Sequence, residues 1–235
     1  MSRLIATLKL DARLQLRSKL YHIGIVVSVL LGLIVRFLFS ADQVGIAIPS
    51  FYLLGLGGTT FMFVAGMVLF EKSERTLAAL RTSPLLTRDY IASKALTLTA
   101  FAVVESLIVL GIAGQGADFA PLPLMAGLLG MGLGYTLIGL GMVASHDSVT
   151  TFLFPDALLV VTVLQLAFLS VFDVGPTLLY YVIPLQGPFV LMLGAFSPIE
   201  TWQWVYGVVM TLALIVGSYT FTRVRFRTHM GLQEG

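Results

Sequence analysis

Few side chains in this sequence could do chemistry, and most stand where chemistry is unpromising. Two ionisable residues, Arg36 and Glu105, fall inside long apolar runs. Charge at such depth in a membrane is costly and usually faces a partner or water. Both runs point the same way, and the two residues differ in predicted depth by about one helical turn, so an Arg36–Glu105 pair is geometrically open. The alternative sets Arg36 at the outer headgroups and leaves Glu105 neutral or bonded to a hydroxyl. The three histidines, His22, His146 and His229, include no pair at metal-ligand spacing. Ser145 and His146 are adjacent, so on a helix they point apart and cannot serve as nucleophile and base. The absence of cysteine excludes disulfides, thiolate metal sites and cysteine nucleophiles. No glycine-rich phosphate loop ending in Gly-Lys-Ser/Thr exists, and none of the four lysines follows a glycine. No catalytic, cofactor or metal site is therefore expected in this chain.

The one internal stretch dense in both charges is Glu71 to Lys94, EKSERTLAALRTSPLLTRDYIASK. It carries Lys72, Arg75, Arg81, Arg88 and Lys94 among the fourteen basic residues. Glu71 and Glu74 share a helix face, and Glu71 and Arg75 stand four apart in the favourable order for a helical pair. Leu77 and Leu80, three apart, give a small apolar face. Pro84 ends this helix, and Thr87-Arg88-Asp89 opens a second helical turn that leads into the next apolar run. A short amphipathic helix of this kind fits a groove on a partner protein. The competing reading is a solvated loop anchored by positive charge.

The elements that must position these residues are set by composition. The chain of 235 residues is 57% hydrophobic and 11% charged, with a mean hydropathy of +0.95, so its solvent is mostly lipid. No polar stretch is long enough to enclose a soluble core, so the whole chain, 1–235, reads as one transmembrane domain. Apolar segments near the spanning length fall at about 21–41, 50–70, 95–114, 122–144, 152–172 and 202–221, which predicts six transmembrane helices. Residues 1–20 pair an apolar stripe (Ile5, Leu8, Ala12, Leu16) with a basic one (Lys9, Arg13, Arg17), the pattern of an interfacial helix. A signal peptide fits less well, because no small-residue cleavage site follows the first apolar run. In 174–200, Pro176, Pro184, Pro188 and Pro198 forbid one continuous helix and predict two short half-helices dipping into the outer leaflet. Gly127, Gly130, Gly134 and Gly141 recur on one face of the fourth span, a surface for close packing inside one bundle or between subunits. Small and polar residues of the second span, among them Gly55, Gly57, Thr59 and Thr60, could pack or line a path.

Charge then predicts orientation. Residues 1–20, 71–94 and the tail with Arg223, Arg225 and Arg227 hold every basic residue but Arg36. With six spans these regions share one side, while the other loops hold Asp42, Asp118, Asp173 and Glu200. The positive-inside rule places both termini and the 71–94 loop in the cytoplasm.

With Glu71, Glu74, Thr76-Leu77, Leu80, Ser83-Pro84, Arg88 and Lys94 in this order, the segment resembles the loop after the second span in permease subunits of type-2 ABC exporters. The basic N-terminal helix, the six spans and the broken hairpin around Ile183-Pro184-Leu185 extend the resemblance over nearly the whole chain. Two positions depart from the pattern: Arg75 stands where a glycine is common, and Ala78 where an acid is common. Drug-export permeases of the fluoroquinolone kind look closest, with haem- and antibiotic-export permeases as open neighbours. The resemblance implies an all-α integral membrane protein of the bacterial inner (plasma) membrane, with a cytoplasmic coupling helix seated in a separate ATPase subunit that binds the ATP and magnesium. Contact with that subunit would fall to Glu71, Glu74, Arg75, Thr76, Leu77, Leu80, Arg81, Pro84 and Arg88. Two permease chains, identical or related, would enclose a path lined mainly by their second and fifth spans, with Pro184 and Pro188 at an external gate. The cargo would be a lipophilic drug-like or lipid-like molecule. A secondary transporter or a non-transporting membrane scaffold are the rival readings, the first weakened by a single intramembrane Glu and no visible inverted repeat.

Overall fold

In lipid an apolar chain can satisfy its backbone within itself by coiling, and in the computed structural model every regular element among the described residues is helical. The structure describes residues 3–17, 19–74, 85–114, 116–153, 157–172 and 177–230. The order is α1 (Arg3–Arg17), α2 (Leu20–Leu38), α3 (Val44–Phe51), a π-turn (Tyr52–Leu56), α4 (Gly57–Ser73), α5 (Thr87–Ala113), α6 (Pro121–Val143), α7 (Val149–Phe152), α8 (Leu158–Gln165), two 3-10 helices (Leu166–Phe172 and Thr177–Val182), α9 (Gln186–Phe196) and α10 (Thr201–His229).

Five helical runs are long and apolar enough to cross a membrane: Tyr21–Leu38, Val44–Ser73, Thr87–Ala113, Pro121–Val143 and Thr201–His229. The expected span at 152–172 is instead built from α7, α8 and a 3-10 helix. Pro155 and Asp156, which stand between α7 and α8 in the sequence, lie outside the described residues. The stretch 174–200 does contain two short helices, as its prolines require: 177–182 and α9.

Helix α6 is the centre of the bundle, in contact with α4, α5, α9 and α10. Its glycine face admits them. A Cβ at Gly127 would strike Met192 and the Pro188 carbonyl, one at Gly130 would strike Thr211, and one at Gly134 would lie 2.7 Å from Leu214. The close-packing face is thus occupied within this chain. Helices α2 and α5 run side by side in the same direction, Gly24 meeting Phe101 and Glu105, and Gly32 meeting Ile112. Lys19 takes a left-handed conformation (φ 61°) between α1 and α2. The turn leaves the register along α5 unchanged, since Asp11 faces Ser93 and Gln15 faces Thr97.

Helix α1 turns a polar face toward the protein. Asp11 and Gln15 are buried, while Ile5 and Leu16 of the apolar stripe are 44% and 54% exposed. Periodicity located the helix, but polar partners on α5 selected its inner face. Exposed apolar side chains on α2 (Val26, Leu30, Phe37) and α10 (Val209, Leu212, Val216) point outward, the arrangement of a membrane protein.

Candidate functional site: a buried ionic junction of Asp11, Glu71 and Lys94

Three helices place one charged residue each at a shared point. Glu71 comes from the last turn of α4, Lys94 from the second turn of α5, and Asp11 from the middle of α1. The Lys94 ammonium donates to Glu71 Oε1 at 2.5 Å and to Asp11 Oδ1 at 3.1 Å. Tyr90, one turn before Lys94 on the same face, donates its hydroxyl to Glu71 Oε2 at 2.6 Å. Ser93 donates to Asp11 Oδ2 at 2.5 Å. Each of the four carboxylate oxygens therefore receives a donor, and the Lys94 ammonium lies 4.7 Å from the Tyr90 ring centre. Lys94 is fully buried, and Asp11 and Glu71 nearly so. Such a cluster is tolerated only because every carboxylate oxygen is answered.

A polar seam continues from it. Gln15, one turn after Asp11, donates to Thr97 Oγ1 at 2.8 Å, and Tyr21 donates to Gln15 Oε1 at 2.5 Å. Residues 11 and 15 on α1 thus meet 93 and 97 on α5, two i,i+4 ladders in register.

Lys72, beside Glu71, turns to the opposite neighbour. Its ammonium donates to the carbonyls of Ala144 at 2.9 Å and His146 at 2.5 Å, where α6 ends. A cation at a helix C-terminus is favoured by the unsatisfied carbonyls there. Its pairing with Asp147 at 3.5 Å adds little, because that carboxylate is 98% exposed. Arg225 of α10 reaches Ser145 Oγ at 3.4 Å, and Tyr90 packs on Phe226 of α10. The ends of α4, α5, α6 and α10 are thus tied together at one end of the bundle.

The expected contact residues divide here. Glu74 and Arg88 are exposed on either side of 75–84, and Arg88 lies 4.0 Å from Asp89. Glu71 points inward and is bonded to Lys94 and Tyr90. Arg75, Thr76, Leu77, Leu80, Arg81 and Pro84 lie outside the described residues. Asp11, Tyr90 and Ser93 were not singled out by the sequence. The available signal was Asp11 itself, the lone acid in a basic segment of twenty residues.

Comparison with known proteins decides the family. A model of the fluoroquinolones export permease protein family matches residues 2–233. The chain belongs to this family. Two curated relatives, fluoroquinolones export permease proteins from two strains of Mycobacterium tuberculosis, are each 29% identical over 237 residues, covering 100% of this chain and 99% of theirs. It is a drug-export permease.

Elsewhere in the permease the structure separates residues that the sequence left open to pairing. Glu105 is buried against Gly24 and Phe101, near Ser28, and neither carboxylate oxygen has a hydrogen-bond partner. Arg36 is exposed, twelve residues beyond Gly24 on α2, which is about 18 Å of helix rise. The Arg36–Glu105 pair does not form, because the parallel register of α2 and α5 sets Glu105 at the level of Gly24, not of Arg36. Ser145 Oγ comes within 3.4 Å of His146 Nδ1, nearer than their adjacency on a helix suggests, but that nitrogen is closer to the Met142 carbonyl, at 3.0 Å, which accepts its N–H. No cluster of three metal-ligating side chains occurs among the described residues. Pro184 is exposed in the turn before α9, whereas Pro188 is buried against the glycine face of α6.

The second span carries a further polar site. Pro49 lacks the N–H that an α-helix needs, and the ladder widens into the π-turn just after it. Two carbonyls of this turn accept from other helices: Leu53 O from Tyr135 at 3.1 Å and Leu54 O from Gln165 at 3.0 Å. Gly57 gives the Tyr135 ring its place. A cavity of about 20 Å³ beside it, lined by Tyr52, Thr60, Ser106 and Tyr135, has room for one water molecule.

Proposed function

We propose that this permease is the membrane subunit of an ATP-driven, type-2 ABC exporter that moves drug-like molecules out of the bacterial cell. The observation that carries the reading is the full-length match to the fluoroquinolones export permease family, combined with a chain that has no phosphate loop of its own. ATP and magnesium are then bound by a separate cytoplasmic ATPase. Residues 71–94 are the coupling segment, seated in that ATPase through the exposed Glu74 and Arg88 and through residues 75–84. Glu71, held inside the chain, anchors the segment. Both termini lie in the cytoplasm and the chain makes six crossings of the plasma membrane, the interrupted 149–172 stretch being the fifth. Support comes from the grouping of the basic residues: Lys72, Arg88, Lys94 and Arg225 gather at one end of the bundle. Asp42, Asp118 and Glu200 stand at the connections of the other end. Two such chains form the path between them, and 177–196 closes its outer end. Fluoroquinolones, named for the mycobacterial relatives, are the first cargo to test.

The test is co-purification of the permease with its ATPase, followed by Arg81→Glu and Arg88→Glu. The double charge reversal is expected to abolish association or ATPase stimulation while the permease stays folded. Unchanged association together with unchanged stimulation would remove the coupling assignment.

A further inference from the structure

Among the described residues, Glu105 is the buried carboxylate whose two oxygens both lack a hydrogen-bond partner. Asp11 and Glu71 show the opposite arrangement, a donor reaching each oxygen. A carboxylate left bare in an apolar interior is so costly that it takes up a counter-ion or a proton. No counter-ion stands at this level. Lys94, eleven residues earlier on α5 and so about 16 Å along the helix, is committed to Glu71 and Asp11. On α2, His22 is exposed, and Arg36 lies about 18 Å beyond Gly24, the residue that meets Glu105. The arginines of α10 fall at the Lys94 end, where Tyr90 packs on Phe226. The tyrosines of the neighbouring elements are engaged elsewhere: Tyr21 with Gln15, Tyr52 with the Ser106 carbonyl, Tyr135 with the Leu53 carbonyl. Space excludes a larger cation. A Cβ at Gly24 would strike Glu105 Oε1 and the Phe101 ring, so an ammonium or a metal ion would have to push α2 away. A proton needs no such room. Ser28, fully buried one turn on from Gly24, faces the same carboxyl and donates its own proton to the Gly24 carbonyl at 2.7 Å. The Ser28 oxygen is thereby left to accept.

We propose that Glu105 is a proton-binding site inside the bundle: its neutral carboxyl donates to Ser28 Oγ, and the bound proton holds α2 against α5. Ionisation would demand water or a cation at this level, and the close approach at Gly24 would have to open to admit either. A step of export that parts α2 from α5 therefore releases a proton, and acid favours the closed seam. The site is built from α2 and α5 alone, and it holds whether or not an ATPase drives the permease.

Infrared spectroscopy of the full-length permease in lipid nanodiscs at neutral pH tests the site. The unaltered permease is expected to show the carbonyl stretch of a neutral carboxyl, shifted down in deuterium oxide and lost in Glu105→Gln. Ser28→Ala should keep that band and move it to higher frequency, because the donated hydrogen bond is gone. Absence of the band overturns the site, as does a carboxylate signal that responds to sodium or potassium, which would assign a metal ion instead. If Glu105→Gln does not fold, the Ser28→Ala spectrum decides: a shifted band supports the site, and an unshifted one removes it. The hold on α2 is read with spin labels at Val26→Cys on α2 and Leu107→Cys on α5, both exposed, in a chain with no cysteine of its own. Raising the pH until the carboxyl band disappears should lengthen that distance, and the Glu105→Gln variant should keep the short distance throughout. A distance that stays unchanged while the band is lost, or that lengthens equally in Glu105→Gln, overturns the hold.

Discussion

Lys94 shows how little tolerance a buried charge has for the loss of a partner. Its ammonium answers two carboxylates that no water reaches. Lys94→Met keeps most of the volume but leaves Asp11 and Glu71 facing each other, and should destabilise the permease by about 3–5 kcal/mol, read as a lowered unfolding temperature in detergent. Adding Asp11→Asn and Glu71→Gln to that variant removes both orphaned charges and should recover most of the loss. Failure of the triple variant to recover would mean that hydrogen-bond geometry, not charge, dominates the junction. Glu105 sits in the opposite situation, with no partner to lose. Glu105→Gln keeps its shape against Gly24 and should leave the unfolding temperature within a few degrees, since no paired charge is broken.

Between helices, glycine decides how close two axes can come. Gly24 yields to Glu105 and Phe101, and Gly130 yields to Thr211. Gly130→Leu would force α10 away from α6, and overpacking of this kind should cost about 1–3 kcal/mol or more. The measurement is the fraction of permease that elutes as a monodisperse species, compared with Gly66→Leu, where an added Cβ meets nothing within 4 Å. Equal behaviour of the two variants would contradict the close approach of α6 and α10. At this scale the sequence was a good guide to where helices lie. Five of the six expected spans recur as long helical runs, the second beginning earlier, at Val44, and α5 begins at Thr87 as its Thr-Arg-Asp start suggests. It did not record which polar residues meet another helix. Ile5 and Leu16 were read as the apolar stripe of an interfacial helix and are exposed, but nothing in the periodicity marked Asp11 and Gln15 as the residues that face the protein.

Across the whole molecule, the two ends of the bundle differ in kind. One gathers Asp11, Glu71, Lys72, Lys94 and Arg225. The other carries an aromatic group, Tyr181 with Trp202 and Tyr206, of the sort enriched at membrane–water boundaries. Single cysteines at Glu74 and Arg88 should resist a membrane-impermeant maleimide in intact cells, and those at Asp42 and Asp118 should react. The reverse pattern would invert the proposed topology and remove the coupling segment from the cytoplasm.

Sequence alone determined that this chain belongs in lipid, that its charges are sorted by region, and that it has no phosphate loop. These follow from composition, local order and the hydropathy of runs long enough to cross a membrane, none of which depends on what packs against what. It also marked 71–94 as the segment to explain. Tertiary structure alone decided that Glu71 anchors inward, that Arg36 and Glu105 stay apart, and that Asp11 belongs with Lys94, eighty-three residues away. The physical reason is that pairing depends on helix register and rotation. Those are set by glycine contacts and cross-helix hydrogen bonds between residues distant in the chain, and no local pattern in the sequence records them.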